Sequence, residues 1–259
     1  WHGKTYHGLN FLESVIKNGA IAVIYEKPYD LSLLKNCAIP LIGVENLSEY
    51  MGEIANRWYD FPSSDLEVIG ITGTNGKTTV AWLIQQCLSL LGNKCGYIGT
   101  LGVGLENIDK GGLTTPSCFE LHKQLSIFKE MGIKYVAVEV SSHAIEQDRI
   151  AGLSFGATIF TNLSQDHLDY HGSFEAYSKI KAKLFIDKDS KIKIINCHDN
   201  FGRTLLKKIN NKAISIIRGQ TSVIYDEPYL SILNFKANEF GHKVNIKSTW
   251  GEKEFNLPL

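Results

Sequence analysis

Apolar positions return along this chain in two rhythms. Short, nearly continuous apolar runs occupy 66–72, 95–100, 135–140, 157–161 and 193–196, each bounded by polar or glycine residues. Such runs read as strands buried on both faces. Between them, at 78–91, 117–131 and 173–185, apolar residues recur every three or four positions, which reads as helix. Strand alternating with helix predicts an α/β domain with a mostly parallel sheet.

The first stretch repeats the alternation on a smaller scale. Phe11, Leu12, Val15 and Ile16 share a helical face, and Asn18-Gly19 is a helix stop. Strands follow at 20–25 and 39–44. Asn46 with Glu49 then forms a capping-box-like start for a helix whose face is Leu47, Tyr50, Met51, Ile54 and Trp58. The polar segment Asp60-Phe61-Pro62-Ser63-Ser64-Asp65 divides the chain, with a small, incomplete N-terminal α/β unit at 1–64 and a central domain at 65–259. Near the end, Val244, Ile246 and Trp250 sit at even spacing beside Gly251-Glu252, which predicts an antiparallel ribbon.

Composition narrows the partners. The 259 residues hold 27 Lys plus Arg and 27 Asp plus Glu, a net charge of 27 − 27 = 0. That balance argues against nucleic acid or an anionic membrane surface, both of which recruit a basic surplus. No apolar run reaches the roughly 18 residues of a membrane span. The five cysteines form no Cys-x-x-Cys pair, so free thiols, buried or half-buried, in a reducing cytoplasm are expected. A start at Trp1 without a signal pattern suggests a chain processed or cut from a longer one.

The strongest local signal is Gly70-Ile71-Thr72-Gly73-Thr74-Asn75-Gly76-Lys77-Thr78-Thr79, which follows an apolar strand and opens a helix. Successive backbone N–H groups at a helix N-terminus attract phosphate oxygens. Lys77 is placed to reach β- and γ-phosphates, and the Thr78 hydroxyl to ligate Mg²⁺. Ile71 stands where the strict phosphate-loop pattern has its first glycine, but Gly73, Thr74, Asn75, Gly76, Lys77 and Thr78 keep its core. Downstream, Glu139 ends an apolar strand and offers a hard oxygen for Mg²⁺. The segment Thr161-Asn162-Leu163-Ser164-Gln165-Asp166-His167-Leu168-Asp169-Tyr170-His171 packs acids and histidines together after the next strand. His143 and His171 read equally as buried structural histidines, whereas position favours function for Glu139 and His167.

One lysine is out of phase. On the helix from Ser173, Phe174, Tyr177 and Phe185 form an apolar stripe, and Lys181 falls within it, while Lys179 and Lys183 face the other way. A buried lysine sheds its proton or finds a partner, and a neutral amine can combine with CO₂ to give a carbamate anion. Periodicity alone favours the simpler outcome, a buried stem with a wet ammonium head.

Together these motifs resemble the Mur ligase family of bacterial peptidoglycan synthesis, and within it the branch that adds a diamino acid. The carrying segments are 70–79, Thr114-Thr115-Pro116, Glu139-Val140-Ser141-Ser142-His143-Ala144, Gln147 with Arg149, 161–172, and the helix bearing Lys181. The resemblance implies ATP-driven amide formation on UDP-MurNAc-dipeptide. ATP phosphorylates a carboxylate, and the amine of meso-diaminopimelate or L-lysine attacks the acyl phosphate. It further implies that residues 73–79 hold ATP, that Thr78 and Glu139 hold one Mg²⁺, and that His167 and a carbamylated Lys181 serve a second. Thr114, Thr115, Ser141, Gln147 and Arg149 would bind the muropeptide, and Lys4, Thr5 and Tyr6 its uridine part. The resemblance also places the amino-acid-selecting domain beyond Leu259, so that this piece alone is expected to be inactive. Alternatives are another Mur-type ligase, including a folylpolyglutamate synthase-like one, a phosphate-loop switch or motor, and a non-catalytic nucleotide-binding fragment. A GTPase is disfavoured, since Asn162-Leu163-Ser164-Gln165 is not a guanine-reading Asn-Lys-x-Asp.

Overall fold

The β-branched run 67–72 forms the centre of a sheet flanked on both faces by helices. The computed structural model describes residues 6–34, 37–109, 112–210, 212–219, 228–239 and 241–258. The N-terminal unit comprises α1 (Leu12–Lys17), β1 (Val23–Lys27), β2 (Leu41–Glu45) and α2 (Leu47–Trp58), with β1 and β2 parallel. A short α3 (Pro62–Asp65) leads into β3 (Glu67–Thr72) and α4 (Lys77–Leu90). Then come β4 (Cys95–Gly99), β5 (Gly102–Gly104), β6 (Ile108–Asp109), α5 (Cys118–Glu130) and β7 (Tyr135–Glu139). They are followed by α6 (Ser142–Glu146), β8 (Phe155–Phe160), α7 (Leu168–His171), α8 (Phe174–Ile186) and β9 (Ser190–Asn196). The chain closes with α9 (Asn200–Lys208), β10 (Ile214–Arg218), β11 (Tyr229–Asn238), β12 (Gly241–Ser248) and β13 (Gly251–Leu257).

Among the described residues the large sheet has the order β13-β12-β11-β10-β9-β8-β3-β7-β4-β5-β6. From β4 to β11 neighbours are parallel, and both ends finish in antiparallel pairs. The chain runs outward from β3 to β4, returns to β7, then crosses to β8 on the other side of β3. That reversal opens a crevice at the carboxyl ends of β7, β3 and β8, where open α/β sheets collect ligands. The register sets Ile71 opposite Glu139 and Thr72 opposite Phe160, so the strand ends are level at the crevice floor. Val68, Ile98, Val136 and Val138 are fully buried beneath it, each stabilising the fold by about 1.5–3 kcal/mol.

The N-terminal unit departs most from the expectation. Its first strand begins at Val23, not at 20, and Ile21 and Ile24 are exposed. Phe11 and Val15 are exposed too, leaving Leu12 as the buried anchor of α1. Asn46 sits in the left-handed region (φ 51°) and its side chain caps nothing, so no capping box forms. On α2, Leu47 and Ala55 are buried while Tyr50 and Trp58 face out. Gly52 explains the rotation: a Cβ there would collide with Ala151, so α2 lays its small residue against the turn at 151–152. At the other end, the turn lies at Thr249-Trp250, and Gly251 already starts β13, leaving Trp250 exposed in the turn. Helix α9 and strand β10 are elements that the periodicity reading omits. Of the thiols, Cys87 is exposed, because α4 turns it away from the sheet.

Candidate functional site

The loop between β3 and α4 is shaped by two glycines for different reasons. Gly76 has φ 82°, a left-handed conformation costly for residues with a Cβ. Gly73 (φ 150°) lies so close to Thr161 that any Cβ would collide with its hydroxyl. The segment after β8 is stitched to the loop through that contact. Thr161 Oγ1 donates to Asn75 O (2.7 Å), Asn162 O accepts from Thr74 N (2.8 Å), and the Asn162 amide spans Asn75 N and O (3.0 and 2.9 Å). Thr74 is buried, and its hydroxyl meets Ser164 and Tyr177. Lys77 folds back onto its own loop, donating to Gly73 O (3.0 Å) and Thr74 O (2.9 Å). Burial lowers its pKa, opposed by the nearby carboxylates of Glu139 and Asp166. Thr79 is exposed on the first turn of α4.

Glu139 lies fully buried at the end of β7. Its carboxylate accepts from Thr78 Oγ1 (2.9 Å), Thr100 N (2.9 Å), Thr100 Oγ1 (3.1 Å) and the Tyr97 hydroxyl. All four donors are neutral, so the anion is solvated by dipoles without an ion-pair partner among the described residues. Room for it exists because residue 99 is glycine; a Cβ there would occupy the carboxylate's place. Burial and the adjoining Glu139 raise the Tyr97 pKa, keeping that hydroxyl a donor.

On the opposite flank, α8 carries Lys181 inward. The residue is 1% exposed, and its Nζ donates to Gly73 O (2.8 Å) and lies 4.8 Å from the Tyr177 ring centre. The wet-headed arrangement favoured by periodicity is therefore wrong: the whole side chain is buried, on a helix whose Tyr177, Ala182, Leu184 and Phe185 are buried too. Phe174, expected on the same stripe, is exposed at the helix start. Burial, reinforced by the neighbouring Lys77, pulls the Lys181 pKa down to about 7, while Asp166 acts weakly in the other direction.

A second network leaves Glu139 along the segment that precedes α5. Thr100 Oγ1 lies 3.1 Å from Thr114 Oγ1, and Thr115 Oγ1 donates to Glu139 O (2.7 Å) while accepting from Ser141 N (3.1 Å). Ser141 caps α6 through Ala144 N (3.1 Å). Arg149 donates from Nη1 to Thr115 O (2.9 Å), and from Nε and Nη2 to Gln147 Oε1 (3.0 and 2.6 Å). Gln147 Nε2 in turn donates to the Tyr170 hydroxyl (2.9 Å). His167 is exposed, in a left-handed conformation (φ 52°), with Nε2 3.4 Å from Asp166 Oδ2. Its ring lies 5.0 Å from His143, which lies 5.6 Å from His171, and burial with these neighbours lowers the His143 pKa. The His171 side chain is itself buried, against Ser142 Oγ (3.0 Å) and Glu146 (3.5 Å).

The predicted residues of the central domain thus converge on one crevice. Lys4 and Thr5 lie outside the described residues, and no hydrogen bond among those described ties the exposed Tyr6 to the crevice. The sequence reading passed over Tyr97, Thr100 and Gly99. Their position at the end of β4, one strand from β7, was the available signal.

A parallel sheet whose central strand feeds a glycine loop and a helix, with an acid closing the adjacent strand, defines a phosphate-loop nucleotide-binding fold. Residues 71–259 match the Mur ligase middle domain. The chain belongs to the Mur ligase family. It is 37% identical over 261 residues to a UDP-N-acetylmuramoyl-L-alanyl-D-glutamate–2,6-diaminopimelate ligase of Coxiella burnetii, covering 99% of this chain and 53% of that protein. A ligase of the same name from Aquifex aeolicus is 41% identical over 258 residues, covering 99% of this chain and 51% of its own length. A solved structure of a ligase with that name superposes with a TM-score of 0.79 at 30% identity, over 96% of this chain and 50% of the other. The chain spans about half the length of these relatives. A MurF ligase of Thermotoga maritima solved with ADP (TM-score 0.59, 17% identity, 99% of this chain and 54% of that one) shares the fold.

Proposed function

We propose that the protein is an ATP-dependent amide ligase that joins 2,6-diaminopimelate to UDP-MurNAc-L-Ala-D-Glu, in the cytoplasm, during peptidoglycan synthesis. The names of the relatives support the substrates. One observation carries the chemistry: a single hydrogen-bond network runs from Thr78 in the phosphate loop through Glu139 and Thr115 to Arg149. It sets a triphosphate cradle and an anion-gripping guanidinium at one crevice. Residues 65–259 would supply the ATP-binding domain, and residues 1–64 part of a uridine-nucleotide-binding one.

In the reaction, a carboxylate oxygen of the dipeptide attacks the γ-phosphorus of ATP and ADP departs. The diaminopimelate amine then attacks the acyl carbon, loses a proton and expels inorganic phosphate. Gly73, Thr74, Asn75, Gly76, Lys77, Thr78 and Thr79 would cradle the phosphates, with Lys77 moving from its loop carbonyls to the β- and γ-oxygens. Thr114, Thr115, Ser141, Gln147 and Arg149 would orient the muropeptide so that its carboxylate lies in line with the γ-phosphate. Lys4, Thr5 and Tyr6 would serve its uridine end.

The residues present fit a magnesium ion. Glu139 is a buried carboxylate satisfied, among the described residues, by neutral donors alone, with the Thr78 hydroxyl against it, and that is a hard-oxygen pair of the kind Mg²⁺ selects. Bound there, with a second ion at His167 and a carbamylated Lys181, magnesium would supply the positive charge that lets two anions meet. A Lys181 amine with a pKa of about 7 is substantially neutral at physiological pH. Its nitrogen lone pair can form the N–C bond to CO₂, releasing one proton and leaving a carbamate anion facing the Lys77 ammonium.

Phosphate release from ATP by the intact protein tests this reading. Turnover is expected only when UDP-MurNAc-L-Ala-D-Glu and diaminopimelate are both supplied; turnover indifferent to the muropeptide refutes it.

A further inference from the structure

We propose that Tyr170 is a positioning residue for the muropeptide: its hydroxyl fixes the amide of Gln147, and through it aims the Arg149 guanidinium. The inference deepens the proposed function and rests on it. Arg149 has only donors. Its Nε and Nη2 converge on a single oxygen, Gln147 Oε1, and Nη1 takes Thr115 O. One N–H on each terminal nitrogen then remains without a partner among the described residues, a pair matched to a carboxylate or phosphate.

This orientation holds only while Gln147 presents its oxygen. A glutamine amide can flip end for end, and the flipped form would set an NH₂ against two guanidinium donors. The two Arg149 donors select the unflipped form, and Tyr170 anchors the other end of that amide, its hydroxyl accepting from Gln147 Nε2 at 2.9 Å. The hydroxyl is itself held in place. The Tyr170 ring lies 4.1 Å from the His143 ring and 4.8 Å from that of His171, on the turn that directly follows His167. Gln147 is exposed, so water can replace the lost acceptor and the chain keeps its stability. What is lost without the hydroxyl is aim.

Calorimetric binding to the intact protein provides the test, with UDP-MurNAc-L-Ala-D-Glu and a non-hydrolysable ATP analogue as probes. Tyr170→Phe, which keeps the ring, is expected to weaken muropeptide binding about five- to tenfold, the range of one hydrogen bond, and to leave nucleotide affinity within about twofold. Its melting temperature should stay within about 2 °C of the parent. In a Gln147→Leu background the same substitution should have no further effect on muropeptide affinity. Unchanged muropeptide binding, equal losses for both probes, or additive losses in the double variant each overturn the inference. A parent protein that binds nucleotide but no muropeptide refutes the proposed function, and this inference falls with it.

Discussion

Two fully buried ionisable groups flank the phosphate loop, and their surroundings are opposites. Glu139, on the β4–β7 side, is met by hydroxyls and an amide from Thr78, Tyr97 and Thr100. Lys181, on the α8 side, has among the described residues one carbonyl acceptor, Gly73 O, and a second lysine close by. Burying a charge is tolerable when dipoles replace its water and costly when they do not. Dipoles therefore surround the carboxylate, whereas the amine is prepared to stop being a cation. Gly73 joins the two sides, since its carbonyl accepts from both Lys77 and Lys181 while its missing side chain admits Thr161. The charge most at odds with its site is thus the one that chemistry can invert.

The largest break in this comparison comes from deleting the amine. Lys181→Ala in the intact protein is expected to lower muropeptide-dependent phosphate release about 10³-fold, the scale of removing a preorganised electrostatic contact. If the working form is a carbamate, a short carboxylic acid diffusing into the vacated space restores part of the rate, and a short alkylamine does not. Rescue by the amine, or no loss of rate, would show that Lys181 acts as a cation or not at all.

The other flank gives the next largest effect. Glu139→Gln preserves shape but replaces one acceptor oxygen with an NH₂ that faces hydroxyl and amide donors. Leaving such a buried group unsatisfied costs about 1–3 kcal/mol. The variant should therefore unfold at lower urea concentration as well as turn over about 10²-fold more slowly. A rate loss with unchanged stability would mean that the four donors do not recognise the carboxylate as the geometry indicates.

How much of this contrast is legible in the sequence depends on distance along the chain. The loop from Gly73 to Thr78 was legible because its steric demands lie on consecutive residues. Lys181 was legible as a misfit in a helical stripe, although periodicity could not say whether its head reached water; that depended on Tyr177 and on Gly73, more than a hundred positions away. Tyr97 and Thr100 were missed because their role arises from the pairing of β4 with β7, in which Tyr97 faces Ala137 and Ile98 faces Val138. In the N-terminal unit, Asn46 had the right residue type for a cap, but its left-handed backbone turns the side chain away. Helix α9 was available from the sequence, for Asp199 caps Gly202 (2.6 Å) ahead of Leu205 and Leu206, yet the same Asp199 also accepts Leu163 N (2.9 Å), a link no local pattern reveals.

The smallest effect is also the most direct reading of the lysine's discomfort. In metal-free, CO₂-depleted buffer Lys181 has a folded pKa of about 7 against an ordinary value near 10.5. Below pH 7 both folded and unfolded chains carry the proton; between the two values the unfolded chain alone carries it. The unfolded state then binds more protons, so stability rises with pH across this interval. The slope has a ceiling of about 1.4 kcal/mol per pH unit, and water entering the site reduces it, so the gain from pH 7 to 8.5 should be about 1–2 kcal/mol. That window excludes the other shifted groups except Lys77. His122 and His143 have lowered pKa values and act below it. Cys95 and Cys118, pushed up to about 11 by burial, act above about pH 9 with the opposite sign. Lys77, lowered by burial in the same direction, contributes a residual slope that survives in Lys181→Met. Urea unfolding at half-unit pH steps measures the difference between parent and variant. Equal slopes in the two would mean that Lys181 keeps its proton through neutrality, and the opposition between the two flanks of the loop would vanish.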